Sequence, residues 1–188
     1  TPLTAWNKNN DQRSLSTSGG VFAALASIIL GKGGVVCGAT IANNRVKHIF
    51  VSSLKELPRI QGVKYIQSNL QGIYQQVRTY LEAQQVVLFT GTPCQIAALY
   101  SYLGKKRNKA NLYTAEVICH GVVSNLILDK HLEYNHAEQI ISFRTKSLGW
   151  GKDTYTTVIK NGKKVTLENR HKNFFYHAFT SDTVTRPS

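Results

Sequence analysis

The sequence predicts an α/β fold: a central, mainly parallel sheet with flanking helices, followed by a C-terminal antiparallel β-hairpin region. Three observations carry that expectation. The run Val86-Val87-Leu88-Phe89 is continuous, apolar and bounded by turn residues, the pattern of a strand covered on both faces. Helical and strand periodicities alternate across residues 72–136, which argues for parallel strands joined by crossover helices. Beyond residue 138 two strand-like runs meet at Asn161-Gly162, a hairpin signal. At 188 residues the chain is read as one α/β domain with a sizeable core.

In chain order, residues 1–17 are polar and read as irregular. Ser18-Gly19-Gly20 opens a helix with Val21, Phe22, Leu25, Ile28 and Ile29 as its apolar positions, closed by Gly31. Val35–Ala39 follows as a buried strand with Cys37 as a small core residue. Asn43-Asn44 turns it into the half-exposed strand 46–51, on which His48 reads as a solvated position. A short helical segment is expected at 53–57. An amphipathic helix then presents Ile73, Tyr74, Val77, Tyr80 and Leu81.

That helix feeds the central strand and the turn Thr90-Gly91-Thr92-Pro93-Cys94-Gln95. Thr92 fits an N-cap, Pro93 the first helical position and Gln95 the reciprocal partner of a capping box. Ile96, Ala97, Leu99, Tyr100 and Leu103 continue the helix to Gly104. Cys94 thus falls in a first turn, where helix N–H groups favour a thiolate or another anion. After the basic loop 105–109, strand 112–118 ends in Cys119-His120-Gly121, and a helix spans Ser124 to His136 with Leu126, Ile127, Leu128 and Leu132. Under a parallel topology Cys94 and Cys119-His120 share the carboxyl rim of the sheet, where open α/β folds place their chemistry. Later come strands at 140–144, 154–159 and 165–167, a glycine-flanked loop with Trp150 suited to stacking on a ring, and an aromatic helix at 172–179.

Composition narrows the partners. Net charge is +13, from 23 Lys and Arg against 10 Asp and Glu, which suits an acidic partner or a phosphate-rich ligand. The cations are scattered apart from Lys105-Lys106-Arg107-Asn108-Lys109 and Lys160-Asn161-Gly162-Lys163-Lys164, so they make no nucleic-acid-binding stripe. Three cysteines form no even disulfide set and no C-x-x-C pair, and no apolar run is long enough for a membrane span; a cytoplasmic setting is the expectation.

From the residues alone, the glycines before the first long helix can cradle a phosphate or serve close packing, and Lys64 can pair with a phosphate or lie on a surface strand. Cys94 and His120 can form a nucleophile–base pair, Cys94 and Cys119 a redox pair, or both thiols can border a cofactor pocket. Buried structural cysteines are the bland alternative.

Several blocks occur in the order of one family: Ser18-Gly19-Gly20-Val21-Phe22, Gly33-Gly34-Val35-Val36-x-Gly38-Ala39, Lys64-Tyr65-x-Gln67-Ser68, Leu88-Phe89-x-Gly91-Thr92-Pro93-Cys94-Gln95, Cys119-His120-Gly121-Val122 and Phe143-Arg144-x-Lys146-x-x-Gly149-Trp150. Together they resemble the beta subunit of coenzyme F420-reducing hydrogenase and F420-dependent dehydrogenases, from about residue 13 onward. The resemblance implies a flavin-dependent oxidoreductase holding FAD and [4Fe-4S] clusters. Electrons would pass between iron–sulfur centres, in a ferredoxin-like protein or an iron–sulfur domain, and a small acceptor such as a deazaflavin. The matching positions imply a cofactor rim of Ser18, Gly19, Gly20, Lys64, Tyr65, Gln67, Ser68, Thr90, Gly91, Thr92, Gln95 and Trp150, with Cys94, Cys119 and His120 as redox-site residues and the two thiols either ligating a cluster or lying against the flavin. The chain departs from the family where Val123 replaces a proline and Glu116 an aspartate. Arg186-Pro187-Ser188 resembles the approach to a cluster-binding cysteine segment, so the chain reads as a fragment truncated before it.

Overall fold

The computed structural model describes residues 3–105, 110–119, 121–145, 155–169, 173–181 and 185–186. They gather into two compact units. The first comprises Thr1–Thr40, Lys47–Gln61 and Asn69–Cys119; the second comprises Ile41–Val46, Gly62–Ser68 and His120–Ser188.

The first unit is built on a four-stranded sheet in the order β2-β1-β3-β4, formed by β1 (Val35–Ala42), β2 (Arg45–Val51), β3 (Val87–Gly91) and β4 (Leu112–Glu116). β1, β3 and β4 run parallel, as expected, with Cys37 opposite Phe89 and Gly91 opposite Glu116. The period-2 alternation of a strand sorts the side chains onto two faces. Val35, Cys37, Val87 and Phe89 point to one face, where α3 (Ile73–Glu82) and α4 (Pro93–Leu103) cover them. Val36 and Leu88 point to the other, under α2 (Val21–Gly31) and a 3₁₀ turn at Leu57–Ile60. All five residues of β3 are buried, which is why the strand opens on the apolar run Val87-Leu88-Phe89. Phe89 is wholly enclosed, and truncating such a residue to alanine costs about 3–5 kcal/mol.

Several expectations need correction. α2 buries Ala23, Ala26, Ile29 and Leu30, while Val21, Leu25 and Ile28 are exposed. No residue of this helix is charged, so periodicity could not choose its inner face, and the small alanines win because they permit close approach to the sheet. His48 is buried, not solvated: its ring stacks on Phe89 at 5.6 Å, and Nε2–H donates to the Thr90 carbonyl at 2.9 Å. Ala97 faces outward on α4. The helical turn expected at 53–57 forms later, at Leu57–Ile60, where Pro58 suits a first-turn position. The polar N-terminal stretch contains a short helix, α1 (Asn10–Ser14), whose cap is the Asn9 side chain accepting from the Gln12 amide.

In the second unit, the helix expected over Ser124 to His136 forms as α5 (Asn125–Tyr134), capped by Ser124, and buries Leu128, His131 and Leu132. β6 (Gln139–Thr145), β7 (Tyr155–Lys160) and β8 (Lys163–Asn169) form an antiparallel sheet. The β7–β8 turn is the predicted Asn161-Gly162, both at positive φ, and the Gly162 amide donates to Glu138 Oε1 at 3.3 Å. α6 (Phe174–Thr180) is the expected aromatic helix, and the short β5 (Val122–Val123) pairs with β9 (Thr185–Arg186). Asn44, at φ 57° in the β1–β2 turn, donates to the Glu138 carbonyl at 2.8 Å and accepts from the Ile140 amide at 2.9 Å, tying that turn to β6.

Candidate functional site

The β3–α4 turn folds as its residue types require. Thr92, extended at φ −75° and ψ 161°, caps α4; Pro93 follows, and Thr92 with Gln95 forms the capping box. The Thr92 amide donates to Gln95 Oε1 at 3.0 Å, and the Thr92 hydroxyl lies 3.1 Å from Cys94 Sγ. Gly91 is required by this arrangement: a Cβ there would stand 2.8 Å from Gln95 Oε1 and 3.2 Å from Phe89 Cε1. The Thr90 hydroxyl is spent on the Cys37 carbonyl at 2.9 Å. With Pro93 lacking an N–H and Thr92's used by the cap, this helix start offers few donors for a pyrophosphate. It holds out a thiol instead. Cys94 is exposed, whereas Cys37 is fully buried and burial pushes its thiol far above the usual range.

β4 brings the second thiol to the same edge of the sheet. Gly91 and Glu116 are register partners at the carboxyl ends of β3 and β4, and the Val117 amide donates to the Gly91 carbonyl at 2.9 Å. Cys119 follows, half-buried, and none of the three cysteines is in a disulfide. His120 lies outside the described residues, as do Trp150, Lys146 and the basic positions 106–109.

Ser18-Gly19-Gly20 opens α2 with Gly20 in the left-handed region at φ 78°. Both glycines are packed upon by the N-terminal stretch: a Cβ on Gly19 would meet the Ala5 carbonyl at 3.0 Å, and one on Gly20 would meet Asn7 and Arg13 atoms at 3.2 Å. The Asn7 amide donates to the Gly19 carbonyl at 2.7 Å. Close packing therefore accounts for this pair of glycines.

Lys64, Tyr65, Gln67 and Ser68 belong to the second unit. Ile66 bridges Val123, and the Val123 amide donates to the Tyr65 carbonyl at 3.0 Å. The Tyr65 ring packs among Phe143, Tyr176 and Phe179, the last at 4.3 Å. It is a structural ring in an aromatic cluster that also includes the Tyr176 hydroxyl donating to the Phe143 carbonyl. Ser68 is buried and Gln67 exposed. Burial pulls the Lys64 ammonium down to about 7.

Sequence reasoning missed one positioning residue. The Tyr74 hydroxyl donates to the Gln95 carbonyl at 2.9 Å, bracing the first turn of α4 from α3; burial first, then the Cys94 thiol, raises its phenol. Its place on the apolar stripe of α3 read only as packing. Among the described residues no group of three or more His, Cys, Asp or Glu could hold a metal ion, so Cys94 and Cys119 do not complete a cluster site there. No helix among them is long and apolar enough to cross a membrane.

The family model that matches residues 84–184, more than half of the chain, describes the C terminus of the beta subunit of coenzyme F420 hydrogenase/dehydrogenase. The chain belongs to this family. By its description, that family is one of hydrogenases and dehydrogenases. A chain in the F420-reducing [NiFe] hydrogenase complex from Methanosarcina barkeri superposes with a TM-score of 0.60 at 16% identity, covering 97% of this chain and 62% of that one. This likeness shows the mixed α/β fold, and the present chain spans less than two thirds of its relative. No curated protein sequence matches it.

Proposed function

We propose that this chain is an oxidoreductase subunit that holds FAD and passes electrons between iron–sulfur centres and a small acceptor, an F420-like deazaflavin or another ring of that kind. The observation that carries the reading is the register of Gly91 with Glu116, which sets the segments leading to two thiols outside any disulfide at one carboxyl edge of a buried parallel sheet. Family membership gives that edge its redox context.

FAD, when bound, would supply the exchange between one- and two-electron carriers. The chain's own residues bind and orient. Cys94 and Cys119 border the cofactor edge, the Thr92 hydroxyl fixes the Cys94 sulfur, and Tyr74 and Gln95 hold the turn. Lys64, which stands in the Lys64-Tyr65-x-Gln67-Ser68 block, is the cation that this reading sets against a phosphate of the cofactor. In this reading Gln67 and Ser68, and the α2 start at Ser18, Gly19 and Gly20, are further contacts, with the glycines the weakest because packing already explains them. In this reading the iron–sulfur centres belong to a ferredoxin-like partner or an iron–sulfur domain. The net charge of +13 suits an acidic carrier. A cytoplasmic setting belongs to the same proposal.

The test is spectroscopic. The chain incubated with FAD and freed of excess by gel filtration is expected to retain a stoichiometric flavin spectrum that dithionite bleaches, and Lys64→Met should weaken retention. A chain that stays colourless under all FAD concentrations, while correctly folded by circular dichroism, overturns the reading.

A further inference from the structure

The second unit contains a cavity of about 390 Å³, within the size range of small-molecule sites, whose walls carry His131, Tyr134, Asn135, Leu167, Asn173 and Phe174. The two amide side chains of its lining are already committed. The Asn173 side chain donates to Thr156 Oγ1 at 3.1 Å and accepts from the Phe175 amide at 3.0 Å. The Asn135 side chain donates to the His131 carbonyl at 2.7 Å and lies 3.4 Å from His131 Nδ1. An amide NH₂ can only donate, so Nδ1 accepts and the imidazole proton sits on Nε2. That Nε2–H is buried and has no hydrogen-bond partner among the described residues.

His131 itself is 2% exposed and touches two rings, Phe174 at 5.1 Å and Phe175 at 5.7 Å. Phe175 is fully buried, whereas Phe174 is half-buried and lines the cavity. Of the two rings beside the imidazole, Phe174 is therefore the one that borders open space. Burial holds the imidazole down to about 4, so it is neutral near pH 7 and acts as a donor without carrying charge. A buried donor left unpaired is costly, and native proteins pair nearly all of them.

We propose that this cavity is a binding site for a small planar ring bearing a carbonyl oxygen, which displaces the Phe174 ring and accepts the hydrogen bond of His131 Nε2–H. The ring would lie against Tyr134, Leu167 and the displaced Phe174, and its oxygen would take the orphan donor. The inference stands on the second unit alone and does not rest on the FAD reading.

The probes are benzamide, which carries the oxygen, and toluene, which does not. The full chain, labelled with ¹⁵N-histidine, is titrated with each while the His131 ring nitrogens are followed by long-range ¹H–¹⁵N correlation. Benzamide is expected to bind saturably, at least about tenfold more tightly than toluene for a hydrogen bond worth roughly 1.4 kcal/mol, and to shift Nε2 more than Nδ1. Leu167→Trp should abolish binding of both probes by filling the cavity. Phe174→Ala should tighten benzamide by removing the ring that must move, and His131→Phe should reduce benzamide to the level of toluene. Equal affinities for the two probes, an Nε2 signal unmoved by benzamide even in Phe174→Ala, or binding that survives Leu167→Trp would each overturn the proposal. An internal water or the face of Phe174 satisfying Nε2 would appear as the second of these outcomes.

Discussion

Gly91 sits directly across the sheet from Glu116, and its missing side chain is the space that Gln95 Oε1 occupies to cap α4. One residue thus serves both the strand register and the helix start that presents Cys94.

Gly91→Ala is expected to destabilise the chain by about 1–2 kcal/mol, because the new methyl group must displace the capping oxygen and press on Phe89. In Gln95→Ala the cap is already lost, so adding Gly91→Ala there should cost less. A double-mutant cycle measured by chemical denaturation checks this, and strict additivity would refute the coupling.

The three thiols should react in the order of their exposure. Cys94 is expected to react fastest with a thiol reagent, Cys119 more slowly, and Cys37 only on unfolding. Bound FAD should slow modification of Cys94 and Cys119. Rates with and without FAD, followed by peptide mapping, test the proposed cofactor edge; unchanged rates at saturating FAD would remove it.

Lys64 makes stability pH-dependent with a definite sign. Its ammonium loses its proton near 7 in the folded chain and near the ordinary 10.5 when unfolded, so between these values the unfolded chain binds more protons. The penalty is complete below about pH 7 and fades as pH rises towards 10.5. Lys64→Met should therefore be more stable than the parent chain, most of all at pH 7. The gap should close with a slope of up to about 1.4 kcal/mol per pH unit. Denaturation midpoints of the pair from pH 6.5 to 9.5 decide it, and parallel curves would contradict the assignment.

Asn44 combines a left-handed backbone with two hydrogen bonds to the β6 region. Asn44→Ala should cost about 2 kcal/mol, and Asn44→Gly about 1 kcal/mol, since glycine keeps the backbone conformation but loses the bonds. Thermal or urea unfolding of the two variants separates the contributions.

Elements with a single strong period were legible. The run through Phe89, the stripe Ile73-Val77-Leu81, the Thr92-Gln95 cap and the Asn161-Gly162 turn all carry local chemistry that dictates their geometry. Where tertiary packing decides, the sequence was silent or misleading. The uncharged α2 gives no polar side to mark its outer face, and His48 alternates as a solvated residue would until Phe89 and the Thr90 carbonyl claim it. The roles of Tyr74 and His131 depend on groups distant in the chain, the Gln95 carbonyl for the first and the Phe174 and Phe175 rings for the second. Site residues named by family resemblance divide similarly. Thr92 and Gln95 are explained by the cap and Gly19 and Gly20 by packing, while Cys94 stands exposed in the first turn of α4.

The Asn161-Gly162 turn also carries a slow chemical hazard. Asparagine followed by glycine ages by attack of the next backbone nitrogen on the side-chain carbonyl, and this pair is solvent-facing. Here that nitrogen is engaged by the Glu138 carboxylate. Glu138 thereby acts as a guard against deamidation, and losing it would shorten the shelf life of a hairpin whose fold it scarcely alters.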